Sequence, residues 1–286
     1  MKLGVNLSIW SHAGISFLEG LRRAKALGFK YIDLLGTGHL DPLTVDNKVI
    51  KAAKDLIGEL DLYVSSMVML PRIVGNIASS DQKIRDKCLE YVKACIDVTA
   101  ELGGRQVLMD GGEKEIDIPF DIAWENSRSF ITEASRYAKD KDVIITLELE
   151  PCVYSIVKDI PSMFNMISEV NCPNVLANVD IGHLAITREA PRDLQKLKGL
   201  VIHAHISDND GRIHANEIIG TGVTLVKEYL EALLDIGIDD VARRNNVVPV
   251  AGLELGLIGQ SIDNPDNWVK KSLEFVLEKC PWINLT

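Results

Sequence analysis

The chain has 286 residues, of which 47% are hydrophobic and 25% charged, with a formal net charge of −10. This is ordinary globular composition, long enough for one large α/β domain or two small ones. The acidic balance argues against a nucleic-acid partner, whose phosphates demand a basic surface. No apolar run approaches the length of a membrane span, so no membrane partner is expected. The five cysteines (Cys88, Cys95, Cys152, Cys172 and Cys280) are odd in number and lack CxxC spacing. Neither a disulfide framework nor a zinc knuckle follows, and a reducing cytoplasm is the expected home. The first residues, Met1 to Asn6, read as a strand rather than a signal peptide.

In chain order, short β-branched runs alternate with helical patterns. A strand at 2–9 precedes a helix at 16–28, a strand at 30–35 a helix at 46–60, and a strand at 62–69 a helix at 82–103. Strands at 105–110 and 143–150 precede helices at 120–140 and 161–170. Strands at 175–181, 200–207 and 248–255 precede helices at 190–198, 223–236 and 265–279. Gly28 and Gly103 stand where helices end, and Pro161 and Pro191 where they begin. Eight strand–helix units without a linker predict a (β/α)₈ TIM barrel, one domain over 1–286. The competing open sheet calls for a glycine-rich turn after strand one, but that strand runs into Leu7-Ser8-Ile9-Trp10-Ser11-His12, without GxGxxG.

Four late strands end in charged residues, where a barrel keeps its chemistry. Strand residues two apart share a face, so Glu148 and Glu150, Asn178 and Asp180, His203 and His205, and Gly252 and Glu254 should point to the barrel axis. The later residue of each pair lies nearer the mouth, which predicts a ring of Glu150, Asp180, His205 and Glu254. Three carboxylates and an imidazole suit one divalent ion of octahedral preference, Mn²⁺ or Mg²⁺ rather than structural zinc. Gathering three buried acids without a cation would be costly. One layer beneath, Glu148 and His203 either meet and support the ligands or turn outward through a bulge.

Leu149-Glu150-Pro151, Asp180-Ile181-Gly182-His183, the run His203 to Asn209, Gly220-Thr221-Gly222 and Leu253-Glu254 resemble the xylose isomerase-like superfamily, in particular its sugar isomerase/epimerase branch with the tagatose/psicose 3-epimerases. The resemblance spans the whole barrel in order. It implies one divalent metal, commonly Mn²⁺ with Mg²⁺ or Co²⁺ as substitutes, on Glu150, Asp180, His205 and Glu254. It further implies Glu150 and Glu254 as acid and base, and His183 and Arg212 as residues that hold the oxygens of a small carbohydrate. Six positions beyond Glu150, where the 3-epimerases carry a further acid, this chain has Ile156. The expected reaction is isomerisation or epimerisation through an enediolate. An inosose-type dehydratase, an endonuclease IV-like phosphodiesterase and a non-catalytic sugar-binding barrel are the alternatives. Relatives are often dimers or tetramers, so a homo-oligomer is expected by analogy.

Other residues near the mouth are ambiguous from sequence. Trp10, His12 and His39 follow strands one and two and read equally as substrate wall or structure. Asp110-Gly111-Gly112 reads as a tight turn. Gly220-Thr221-Gly222 sits where these barrels often take a phosphate.

Overall fold

A computed structural model describes residues 1–257 and 259–286. Eight parallel strands close on themselves in sequence order: β1 (Lys2–Asn6), β2 (Tyr31–Leu35), β3 (Tyr63–Val68), β4 (Gln106–Asp110), β5 (Ile144–Glu148), β6 (Val175–Asp180), β7 (Val201–Ile206) and β8 (Val250–Leu253). The seam pairs Leu3 of β1 with Ala251 of β8. Around the barrel lie α1 (Ser8–His12), α2 (Phe17–Ala26), α3 (Asn47–Glu59), α4 (Gln82–Glu101), α5 (Phe120–Asp140), α6 (Ile160–Val170), α7 (Ile181–Thr187), α8 (Val226–Asp235), α9 (Ile238–Arg244) and α10 (Pro265–Lys279). This is the expected (β/α)₈ barrel. Among the described residues, no helix is long and apolar enough to cross a membrane.

The helices start and stop where local chemistry directs. Asp46 and Asp81 accept backbone N–H bonds from Lys48 and Lys83 at the starts of α3 and α4. Asp159 and Ser162 cap α6 reciprocally, with Pro161 in the first turn. Gly28 and Gly103 follow α2 and α4 with φ of 92° and 83°, a conformation that glycine adopts without penalty.

Three expectations were displaced. The strand read over 2–9 stops at Asn6, because Ser8–His12 turns into α1. The helix read over 190–198 is a tighter 3₁₀ segment, Pro191–Leu197, preceded by the short α7. An additional helix, α9, follows α8; its Val241 and Ala242 pack with Ile144, Leu176 and Ile202 at the N-terminal ends of β5, β6 and β7.

Outward-facing strand residues such as Leu3, Val5, Ile32, Leu34, Ile145 and Val179 are buried under the helices. The interior is different. Asn6, Asp33, Ser66, Asn178, His203 and His205 are all buried polar residues of the strands. Buried polar groups require partners, and the partners they find define the site.

Candidate active site

Asp180 ends β6 and caps α7. Its Oδ1 accepts from the Gly182 amide (2.7 Å), the His183 amide (3.3 Å) and the Ser207 hydroxyl (2.6 Å). Gly182 must be glycine for this, since a Cβ there would lie 2.1 Å from Ser207 Oγ. Asn209 Nδ2 donates to the Gly182 carbonyl at 3.0 Å, tying the loop after β7 to the same turn. With Oδ1 so used, Oδ2 of Asp180 is buried without a hydrogen-bond partner.

His205, on β7, presents Nδ1 to two carboxylates: Glu148 Oε1 at 3.3 Å and Glu254 Oε2 at 3.2 Å. Ligand atoms of Glu148, Asp180 and His205 all lie within 4.8 Å of one another. Asn178 Nδ2 donates to Glu148, and Asn6 Nδ2 to Glu254 Oε1 at 3.2 Å. Burial pushes the Glu148 carboxyl up to about 7, against the pull of His205. At Glu254 burial acts the same way, but the His205 charge overcomes it and holds the carboxyl well below the usual range. For His205, burial opposes the charged form, and Glu254, Asp33 and Glu148 outweigh it, so its pKa stands well above normal.

The donor set fits a divalent cation. Asp180 Oδ2 and His205 Nδ1 are buried and make no hydrogen bond, and two further carboxylates face the same imidazole. Like charges brought this close in low dielectric repel strongly, and an ion accepting lone pairs from all four groups relieves both problems.

Glu150 is not where alternation along the strand puts it. The β5 ladder ends at Glu148, opposite Asp110, and the Glu150 amide turns away to bond the Val157 carbonyl at 3.0 Å. Beyond that point the two-residue period no longer governs direction, so Glu148 takes the place beside Asp180 and His205. Glu150 instead faces Arg72 Nη1 (3.4 Å) and His214 Nδ1 (3.7 Å). The meeting of Glu148 with His203 is indirect, because Asn178 stands between them: His203 Nδ1 lies 2.8 Å from Asn178 Oδ1.

The other nitrogen of His203 meets Asp33 Oδ1 at 3.1 Å, and Asp33 Oδ2 is 3.7 Å from His205 Nε2. Asp33 escaped sequence reasoning; its only signal was a lone acid in the apolar run Tyr31-Ile32-Asp33-Leu34-Leu35. It is fully buried, and although burial raises a carboxyl, the two histidines pull this one below its ordinary value. Gly252 makes its room: a Cβ there would lie 2.1 Å from Asp33 Oδ2.

Above this floor opens a cleft lined by Glu148, Glu150, Glu254, Asp110, His183, His214, His12 and Arg72, and by Leu35, Val68, Leu70, Leu108 and Leu257. His183 is held by its Nδ1, which donates to the Leu149 carbonyl at 2.8 Å. Its Nε2 lies 2.8 Å from His214 Nε2 and 3.6 Å from Asp180 Oδ2. Burial disfavours the His183 charge, yet Asp180, Glu150 and Glu148 raise its pKa to about 9. Burial and that neighbouring charge lower His214. Arg212 is exposed on its loop and is not among the cleft residues; the arginine that reaches the cleft is Arg72, on the 3₁₀ turn Pro71–Ile73. Neither Arg72 nor His214 carried a periodic signal. His39 is exposed, and Trp10 is structural, its Nε1 donating to Asp266 at 2.7 Å.

Asp110 accepts the Gly112 amide at 2.7 Å, making the tight turn expected of Asp110-Gly111-Gly112. Burial and Glu150 push its carboxyl from 3.8 to about 6, against Arg72. A carboxyl that is harder to ionise folded than unfolded costs stability as pH rises from its unfolded value through its folded one. Metal-free Asp110→Asn is therefore expected to lose less stability than the parent between about pH 4 and 6, measured as Tm against pH. Equal slopes for the two proteins would contradict this.

The wall of the cleft on the β2–β4 side is braced by Tyr91, whose hydroxyl donates to the Gly36 carbonyl (2.7 Å) and accepts from the Leu70 amide (3.0 Å).

A family model described as a xylose isomerase-like TIM barrel matches residues 21–243. An L-ribulose 3-epimerase from Mesorhizobium japonicum is 26% identical over 249 residues, covering 84% of this chain and 79% of its own. An L-ribulose-5-phosphate 3-epimerase from Salmonella paratyphi A is 24% identical over 231 residues, covering 79% of this chain and 80% of its own. The solved structure of a D-tagatose 3-epimerase-like protein aligns with a TM-score of 0.83 at 20% identity, over 99% of this chain and 98% of that one. At that identity the likeness speaks for the fold.

Proposed function

The chain belongs to the xylose isomerase-like TIM barrel family and is an enzyme of the sugar isomerase and epimerase kind, and on that premise we propose that it is a divalent-metal-dependent 3-epimerase of a small keto-sugar. The observation that carries this reading is the convergence of Glu148, Asp180, His205 and Glu254, with Asp180 Oδ2 and His205 Nδ1 buried and without a hydrogen bond. Those four residues would hold the ion, Mn²⁺ by preference, with Mg²⁺ or Co²⁺ as substitutes. When bound, the ion supplies a Lewis acid for negative charge developing on the substrate's oxygens.

The remaining chemistry belongs to the side chains. Glu148 and Glu254 reach the His205 imidazole from β5 and from just beyond β8. One takes a proton from the carbon beside the carbonyl, and the other returns one from the opposite face, which inverts that centre. His183, its ring fixed through Leu149, directs Nε2 toward the cleft, and with Arg72 and His214 it holds substrate oxygens. Residues 1–286 act as one catalytic unit. Five free cysteines agree with a cytoplasmic setting, and a homo-oligomer remains the expectation by analogy.

The test is elemental analysis of purified protein followed by incubation with ketoses in heavy water. Roughly one Mn, Mg or Co per chain and deuterium at the inverted carbon are expected. Metal-loaded protein that exchanges no substrate proton with any ketose would overturn the reading.

A further inference from the structure

The relatives include one epimerase named for a free sugar and another for a sugar phosphate. Which of these this cleft would take is written in its charges. Asp110, Glu148, Glu150 and Glu254 line it, and Asp180 stands directly behind. Among the described lining residues, Arg72 is the only lysine or arginine. It is already faced by Glu150 at 3.4 Å and by Asp110 at 3.9 Å. Even with a divalent ion and Arg72 set against them, five carboxylates leave no surplus of positive charge for a phosphate dianion.

The loop after β7 gives a second, independent observation. In barrels of this kind the loops after strands seven and eight often cradle phosphate, and Gly220-Thr221-Gly222 has the composition for it. Here those amides serve the chain's own carboxylate. Gly220 N and Gly222 N each donate to Asp208 Oδ2 at 2.8 Å, and Thr224 N and Asn209 N to Oδ1 at 3.0 Å. Asp208 is buried. The glycines are explained by this packing: at Gly222 a Cβ would stand 2.3 Å from Asp208 Oδ1, and at Gly220, with φ of 92°, 2.3 Å from the Phe275 ring. An internal anion thus occupies the amide cradle.

The opposite wall adds a third. Leu35, Val68, Leu108 and Leu70 form an aliphatic cluster across the ends of β2, β3 and β4. Such a surface offers C–H contact to a neutral sugar and no donor to a phosphate ester.

We propose that the substrate is an unphosphorylated keto-sugar whose far end lies against Leu35, Val68, Leu70 and Leu108. The assignment rests on the epimerase reading above. The amide cradle on Asp208 is a structural staple rather than a phosphate site.

The experiment compares kcat/KM of the metal-loaded enzyme for ribulose, fructose and tagatose with that for their 5- or 6-phosphates, and records the shift in Tm produced by each. Free ketoses are expected to be turned over at least tenfold better than their phosphates and to raise Tm where the phosphates do not. A sugar phosphate turned over as well as or better than its free sugar would overturn this substrate class and leave the epimerase reading intact. If nothing is turned over, the epimerase reading fails by itself, and Tm decides the substrate class: stabilisation by free ketoses alone supports it, and stabilisation by the phosphates or by neither overturns it.

Discussion

Glu148→Gln should strip the protein of its metal and lower kcat by roughly 10²–10⁴, whereas Glu150→Gln should keep the metal. The two glutamates are two residues apart on one segment, so they make a matched pair. Only Glu148 lies within ligand distance of Asp180 and His205, and its oxygen is aligned by Asn178. Glutamine preserves shape and removes the negative charge, so the comparison isolates the ligand role. Glu150→Gln removes the nearer of the two carboxylates that face Arg72 and should leave metal binding intact, so its effect should fall mainly on KM. Metal analysis of both variants decides the matter. Loss of metal in Glu150→Gln, with Glu148→Gln still loaded, would return the ligand role to Glu150.

Asp33→Ala carries the largest expected effect on stability. The carboxylate is fully buried between His203 and His205, and removing one member of a buried charged cluster typically costs about 3–5 kcal/mol. For a chain of this size that corresponds to a fall in Tm of roughly 5–8 °C. Asp33→Asn keeps the volume and should lose less stability. It should nonetheless weaken Mn²⁺ binding by roughly 10–100-fold, because the anion that orients the imidazoles beneath the ion is gone. Gly252→Ala attacks the same contact from the other side, driving a methyl into the space of Asp33 Oδ2. Calorimetry and a Mn²⁺ titration read both effects. An Asp33→Ala protein as stable as the parent would show that the contact carries no weight.

The barrel was legible because its signals are local and repeated. Each strand is a short β-branched run, each helix an amphipathic one, and caps such as Asp159 and stops such as Gly103 mark the edges. Asp180 and His205 were legible because alternation holds to the ends of β6 and β7, where they pair with each other. On β5 the same rule overshot by two residues. Glu148 and Glu150 are chemically identical, and only the point where the ladder bonds stop tells which one faces the axis. Asp33 was hidden for a different reason: its partner His203 is 170 positions away, and only barrel closure brings them together. Arg72 and His214 ride on loops, whose paths no period describes. The 3₁₀ segment at Pro191–Leu197 and the seven-residue α9 are set by packing against neighbours rather than by propensity.

The cleft is built from two unlike halves. Its chemistry comes mainly from β5 to β8, and its aliphatic wall from the ends of β2, β3 and β4, braced through Tyr91. In the placement proposed above, side chains of the second half touch the far end of the substrate and not the reacting carbon. Changes there are expected to alter which sugar fits while the proton-transfer apparatus keeps its geometry. On that placement substrate preference and proton transfer are separable, and single changes in the wall are expected to shift the first and spare the second.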